Sequence, residues 1–173
     1  MIKLLLPSKD SKLDAIDYIK EFHIYNSPIN GTGGLDINHY ENWLEQSNLS
    51  HSGITIREDR VPASTYFAYN EENKLVGMCN IRHHLSDYLI KSGSGHIGYS
   101  VRPTERQKGY ATEILKKALI ILHHEHQVNT ALIGCYKENI ASKKAIIKNG
   151  GVLHQEIIEN DEKVTLAYHV YLV

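Results

Sequence analysis

The 173-residue chain has two cysteines, four prolines, one tryptophan and no bias of charge: 19 Lys and Arg stand against 20 Asp and Glu, a formal net charge of −1. Two cysteines cannot build the disulfide frame of a small secreted domain, and Cys79 and Cys135 both sit in apolar stretches, so buried free thiols are expected. A balanced charge excludes a broad basic footprint for nucleic acid or an anionic membrane; an acidic ligand has to be met by a local patch. No apolar run approaches a bilayer span. The opening run Met1 to Leu6 stops at Pro7, with charged residues behind it, and is too short for the apolar core of a signal peptide. These absences lead us to expect a cytoplasmic protein without membrane or nucleic-acid partners. With 42% hydrophobic residues, the length suits one compact domain over residues 1–173, a monomer or a homodimer.

What is present is concentrated between His96 and Leu122. β-formers crowd Ile97 to Val101, and Pro103, lacking an amide N–H, stops a ladder from continuing. From Ala111 the apolar residues take helical spacing, at Ala111, Ile114, Leu115, Ala118, Ile121 and Leu122, so a helix begins near Gly109. The joint between strand and helix reads Arg106-Gln107-Lys108-Gly109-Tyr110-Ala111. Small residues leave the backbone bare where a helix opens, its first N–H groups are unpaired, and Arg106 and Lys108 add positive charge. A pyrophosphate is the natural guest of such a turn, though an ordinary strand-to-helix turn has the same spacing. A Walker loop is excluded, because Gly-Lys followed by Ser or Thr is absent, and so is a G-x-G-x-x-G dinucleotide fingerprint.

Elsewhere the pattern predicts a first strand at Ile2–Leu6 and a helix ending near Phe22 with Leu13, Ile16, Ile19 and Phe22 on its apolar stripe. Asn30-Gly31-Thr32-Gly33-Gly34 lacks a preceding strand and a basic partner, which favours a flexible turn over a phosphate loop, and Asp36 can cap a second helix through Trp43 and Leu44. A polar stretch from Leu49 to Pro62 precedes two strands, Ser64–Tyr69 and Lys74–Leu85, joined by a polar turn, with Gly77 marking a bulge. After the central helix, Ala131–Cys135 reads as a strand; strand, crossover helix and strand imply a parallel pair. Asn139 caps a short helix ending at Gly150-Gly151, and Val152–Glu159 and Lys163–Leu172 form a closing hairpin.

The run with Arg106, Gly109 and Ala111 in register after a strand that ends near a proline resembles motif A of the GNAT N-acetyltransferase superfamily, and the segment opened by Asn139 resembles its motif B. Gly151 stands where that family commonly has an aromatic residue. The resemblance covers about Leu75 to Leu172, with the N-terminal third matching in outline. It implies an α/β (α+β) fold: a mixed, largely antiparallel twisted sheet, a central parallel strand pair that diverges to admit acetyl-CoA, and helices on both faces. It further implies that Arg106, Gln107, Lys108, Gly109, Tyr110, Ala111 and Thr112 hold the coenzyme's pyrophosphate, that Tyr99 and Val101 serve the pantetheine arm, and that Asn139, Ser142 and Lys143 complete the cofactor site. The region after the first helices would help to wall the acceptor pocket. The activity implied is direct acetyl transfer to a primary amine of a small-molecule or peptide acceptor, the alternatives being a non-catalytic acyl-CoA-binding module or a structural protein dimerising through its last hairpin.

Such a transfer needs a neutral amine, a polarised thioester and a proton for the leaving sulfur. Many family members place a Tyr seven residues after the motif B Asn as the acid, but Ile146 stands there; Ser142 matches instead the Asn-x-x-Ser arrangement of the ribosomal-protein N-terminal acetyltransferase branch. Among eleven histidines, His83, His84 and His96 stand on or beside strands expected to line the cleft and are the candidate bases, with water as the alternative. His123 and His126 share a helix face, but two ligands do not make a metal site and no metal is expected.

Overall fold

The computed structural model describes residues 1–158 and 163–172. Its elements in chain order are β1 (Lys3–Leu5), α1 (Lys12–Ile24), α2 (Tyr40–His51), β2 (Ala63–Tyr69), β3 (Leu75–Arg82), α3 (Asp87–Lys91), β4 (Ile97–Val101), α4 (Tyr110–His126), β5 (Thr130–Tyr136), α5 (Ile140–Lys148), β6 (Val152–Ile158) and β7 (Val164–Tyr171). The mixed α/β class is as expected from the sequence. Glu159, the expected end of the first hairpin strand, lies outside the described residues. No helix among the described residues is long and apolar enough to cross a membrane.

Four strands pair antiparallel in the order β1-β2-β3-β4, and three more in the order β5-β7-β6. Alternation along β2 and β3 divides their side chains between two cores. Tyr66, Ala68, Cys79 and Ile81 face α4, β5 and β7; Phe67 and Met78 face α1 and α2. The break in register falls between Ala68 and Tyr69, where Val76 is the extra residue, one position before the expected Gly77. Gly77 has a different task. A Cβ there would lie 2.4 Å from the Ile114 side chain and 2.8 Å from the Ser100 carbonyl, so its bare backbone lets α4 settle on the sheet.

The expected apolar stripe of α4 is buried at Ile114, Leu115, Ala118 and Leu122, joined by Leu119. Each fully buried Leu or Ile contributes roughly 1.5–3 kcal/mol, which makes this helix the main support of the joint before it. The stripe of α1 is turned from expectation: Leu13 is exposed, and Ala15, Tyr18 and Phe22 are buried. Tyr18 sets that rotation, since its hydroxyl meets Ser100 Oγ at 3.1 Å and its ring lies 5.5 Å from the Arg102 guanidinium. Arg102 is itself buried, donating to the Leu75 carbonyl and to Asp17 and Glu21, and so ties α1 to β3 and the end of β4. Asp36 does not cap α2; it accepts from the Asn38 amide and the His39 ring, forming the turn before the helix.

The expected central parallel pair needs correction, because no ladder joins β4 to β5 among the described residues. A single antiparallel bridge, Gly95 to Ile133, stands between the sheets. Gly95 has φ 64°, a Cβ there would sit 2.1 Å from the Leu132 carbonyl, and the next residue, His96, inserts its ring: Nδ1 accepts the Leu132 N–H at 3.0 Å. The chain therefore turns away from β5 as β4 begins.

Filling the Gly77 notch tests this packing. Gly77→Val should lower stability by about 1–3 kcal/mol through overpacking, and adding Ile114→Ala should recover part of that loss, as urea unfolding midpoints would show.

Candidate active site

Between β4 and α4 the chain passes a turn of 3-10 helix at Pro103–Glu105 and then two left-handed residues, Gln107 (φ 65°) and Gly109 (φ 85°). Among the described residues the N–H groups of residues 107–111 have no acceptor, whereas those of Thr112 and Glu113 both return to the Gly109 carbonyl. These five donors lie at the positive end of a 17-residue helix. A Cβ on Gly109 would meet nothing within 4 Å, so the backbone conformation, and not crowding, calls for glycine there.

The two cations of this turn are already engaged. Arg106 donates to Ser27 Oγ at 2.6 Å and to the Val101 carbonyl at 3.3 Å, lying over the Phe22 ring. Lys108 pairs with Glu105 at 2.7 Å, as does Lys74. Hydrogen bonds from Lys108 and Lys74 hold the Glu105 carboxyl below its usual range. The expectation that both add positive charge is corrected for Lys108, which Glu105 neutralises; Arg106, exposed and without an ion pair among the described residues, keeps its charge beside the outward amides. Thr112 gives its carbonyl to the Asn149 amide and so joins α4 to α5.

Where β4 and β5 part lies a chamber of about 200 Å³, lined by Tyr99, Cys135, Tyr136, Asn139 and Ser142 among others. Tyr99 Oη and Ser142 Oγ are 2.7 Å apart, and Ser142 also reaches the Cys135 thiol. Asn139 caps α5 by accepting the Ser142 N–H at 3.1 Å, which places the serine in the first turn, facing the gap. Burial pushes Tyr99 up to about 12 and raises Cys135, so both stay protonated at neutral pH. Lys143 lies near enough for its charge to act on that thiol. Ile146 is fully buried in the core, so no proton donor approaches from its position.

The three candidate bases are not brought to this chamber. His96 is 6% exposed and occupied by Leu132; burial lowers its pKa to about 4. His83 shares Ser64 Oγ with His51 and stacks on His126 with ring centres 3.9 Å apart, and burial holds it near 4 as well. His84 is exposed. None of the described histidines lines this chamber or the next one. His83 and His96 are held by partners distant in sequence, and His84 lies exposed beyond the end of β3, which no spacing reveals.

A larger chamber of about 550 Å³ adjoins the first, sharing Asn30, Arg82 and Gly98. Its walls are the loop from Ile29 to Gly34, Trp43 and Gln46 of α2, the segment from Ile56 to Val61, and Asn80 and Arg82 at the end of β3. The glycine-rich loop is no loose turn. Gly31 (φ 73°) lies against β4, where a Cβ would stand 2.5 Å from the Gly98 carbonyl; Asn30 accepts from Ser100 Oγ, and Gly33 from the Trp43 indole. Sequence reasoning missed Arg82 and this crossing; the one signal was the density of glycine at both partners.

Residues 15–152 match the family model described as acetyltransferase (GNAT) domain. The chain belongs to the GNAT family and is an N-acetyltransferase. Its fold is shared with solved structures at low identity. Microcin C7 self immunity acetyltransferase MccE, solved with acetyl-CoA and AMP, aligns with TM-score 0.74 and 16% identity over 99% of this chain and 92% of its own. Ribosomal-protein-S5-alanine acetyltransferase from Vibrio fischeri gives 0.73 and 13% over 98% and 92%. The spermidine/spermine N-acetyltransferase SpeG from Vibrio cholerae gives 0.65 and 11% over 99% and 95%. No protein of curated function matches the sequence.

The lowered pKa of His96 makes stability depend on pH. Below about 6.5 the unfolded chain takes up a proton that the folded one refuses, so this contribution is complete above pH 6.5 and is lost progressively down to about 4. It amounts to as much as about 3 kcal/mol. His96→Asn, which keeps an acceptor for the Leu132 N–H without titrating, should flatten the fall; denaturant midpoints at pH 7, 6, 5 and 4 for both proteins check it.

Proposed function

We propose that the protein transfers an acetyl group directly from acetyl-CoA to a primary amine of a small-molecule or peptide acceptor, as a single cytoplasmic domain. The observation that carries this reading is the run of five unpaired amides, residues 107–111, at the head of α4, following a strand whose neighbour has been withdrawn. Those amides are donors for a pyrophosphate, with Arg106 and Lys108 on the same turn, Tyr99 and Val101 beside the pantetheine arm, and Lys143 on α5 completing the cofactor site. MccE, solved with acetyl-CoA, supports the choice of coenzyme. Acetyl-CoA supplies the acetyl thioester. The small chamber holds its sulfur end, and the amine enters from the larger one.

Within the small chamber Ser142 donates its hydroxyl proton toward the sulfur as the C–S bond breaks, Tyr99, 2.7 Å from Ser142 Oγ, replaces it, and water returns a proton to Tyr99. Both hydroxyls are weak acids, so the pair acts by hydrogen bonding to developing negative charge and by relaying a proton, not as a strong acid. With no histidine on either wall, water takes the proton from the amine.

Acetyl-CoA should raise the melting temperature, and Gly109→Val, which strains the left-handed turn and encumbers the bare amides, should abolish that rise in a folded protein. An unchanged affinity for acetyl-CoA in this variant rules out the loop as the pyrophosphate site. Ser142→Ala should slow single-turnover acetylation by about ten- to a thousandfold, with coenzyme affinity little changed. Released thiol, followed across a panel of amines, reads the rate. Equal single-turnover rates would make Ser142 a packing residue only.

A further inference from the structure

The larger chamber has an uncompensated charge. Its lining includes three arginines, Arg57, Arg60 and Arg82, and one carboxylate, Asp59. Asp59 is spent on Arg57, which grips it with two hydrogen bonds, Nε to Oδ1 at 2.9 Å and Nη2 to Oδ2 at 2.8 Å. Among the described residues neither Arg60 nor Arg82 makes an ion pair. Arg82 is the more telling of the two. It is partly buried where the two chambers meet, and among the described residues its side chain bonds only from Nη1, to the carbonyls of Gly95 (2.6 Å) and Ser94 (3.3 Å), leaving its other donors accessible to solvent. Burial and the like charge of Arg60 both work against its protonated state. A partly desolvated cation without a counter-ion gains from one, and its planar fork of donors fits a carboxylate or a phosphate.

We infer that the acceptor is a small amine that also carries an anionic group, carboxylate or phosphate, which Arg82 and Arg60 receive while the amine points across Gly98 toward the small chamber. This rests on the transferase reading and deepens it. A polycation of the kind acetylated by SpeG would bring like charge against both arginines. A cavity of about 550 Å³ accommodates such a small molecule with room for its polar end.

Matched pairs test the inference: O-phosphoethanolamine against ethanolamine, and β-alanine against its amide, with spermidine as the polycation. Each is measured by thiol release with acetyl-CoA and by calorimetric binding to the protein. In the parent, at least one anionic member should surpass its neutral partner by about ten- to a hundredfold in kcat/KM and affinity. The phosphate and carboxylate arms tell the two sources of charge apart. Arg60→Glu, at an exposed position, and Arg82→Gln, shown to be folded by its melting curve, should each remove most of that preference while the acetyl-CoA melting shift stays. Preference for the neutral amines or for spermidine overturns the inference and leaves the transferase reading standing, as does an anionic preference that both variants retain. If no amine turns over, the binding measurement still decides: arginine-dependent affinity for the anionic amines upholds the anion site, and equal affinity within each pair overturns it.

Discussion

The backbone N–H of Leu132 donates to the imidazole of His96 and not to a carbonyl of β4, and the rest of the site depends on that diverted bond. Two neighbouring strands normally satisfy each other's backbone groups all along their length. Here a ring stands in at the first position, Gly95 turns the chain, and the strands are free to separate without leaving the Leu132 amide buried and unpaired. The opening that results is lined by Tyr99 on one side and by Cys135 and Ser142 on the other. A neutral imidazole is required for this, since only its unprotonated nitrogen accepts, and burial keeps it unprotonated.

On either side of that opening the protein meets charge differently. At the head of α4 Glu105 neutralises Lys108, Arg106 is turned toward Ser27, and the free donors in the turn itself are neutral amides aligned with a helix dipole. In the larger chamber the reverse holds: the carboxylate is absorbed by Arg57, and full guanidinium charge is left over. A loop of amides fits a phosphate by shape and many short bonds, whereas a guanidinium fork selects by charge and planarity.

The turn from Arg106 to Ala111 was legible because its signals are local: a proline ending a strand, a glycine where φ must be positive, and apolar residues at helical spacing. Asn139 as a cap was legible for the same reason. The direction of an imidazole is not local. His83 is turned to Ser64 and His126, and His96 to Leu132, by partners 19, 43 and 36 residues away in sequence. Leu13 looked like core until Tyr18, drawn to Ser100 and Arg102, rotated α1. Arg82 gave no warning either, since an arginine ending a strand reads as solvated until the fold closes over it. The parallel pair was inferred from connectivity, which says that two strands are neighbours but is silent on whether their backbones bond.

The contact of Gly31 with Gly98 sets what can vary in this fold over evolutionary time. Gly31 cannot gain a side chain at the crossing without pushing β4 away, because a Cβ there already falls 2.6 Å from the backbone of Tyr99, whereas one on Gly98 would only touch Gly31 at 3.4 Å. Gly33 is held in the same way, with a left-handed φ and the Thr65 hydroxyl where its Cβ would be, whereas the segment from Ile56 to Val61 opposite contains no glycine at such a crossing. A lineage can therefore trade one acceptor for another by changing the outer wall of the larger chamber, one residue at a time, while the strand that serves the coenzyme keeps its place.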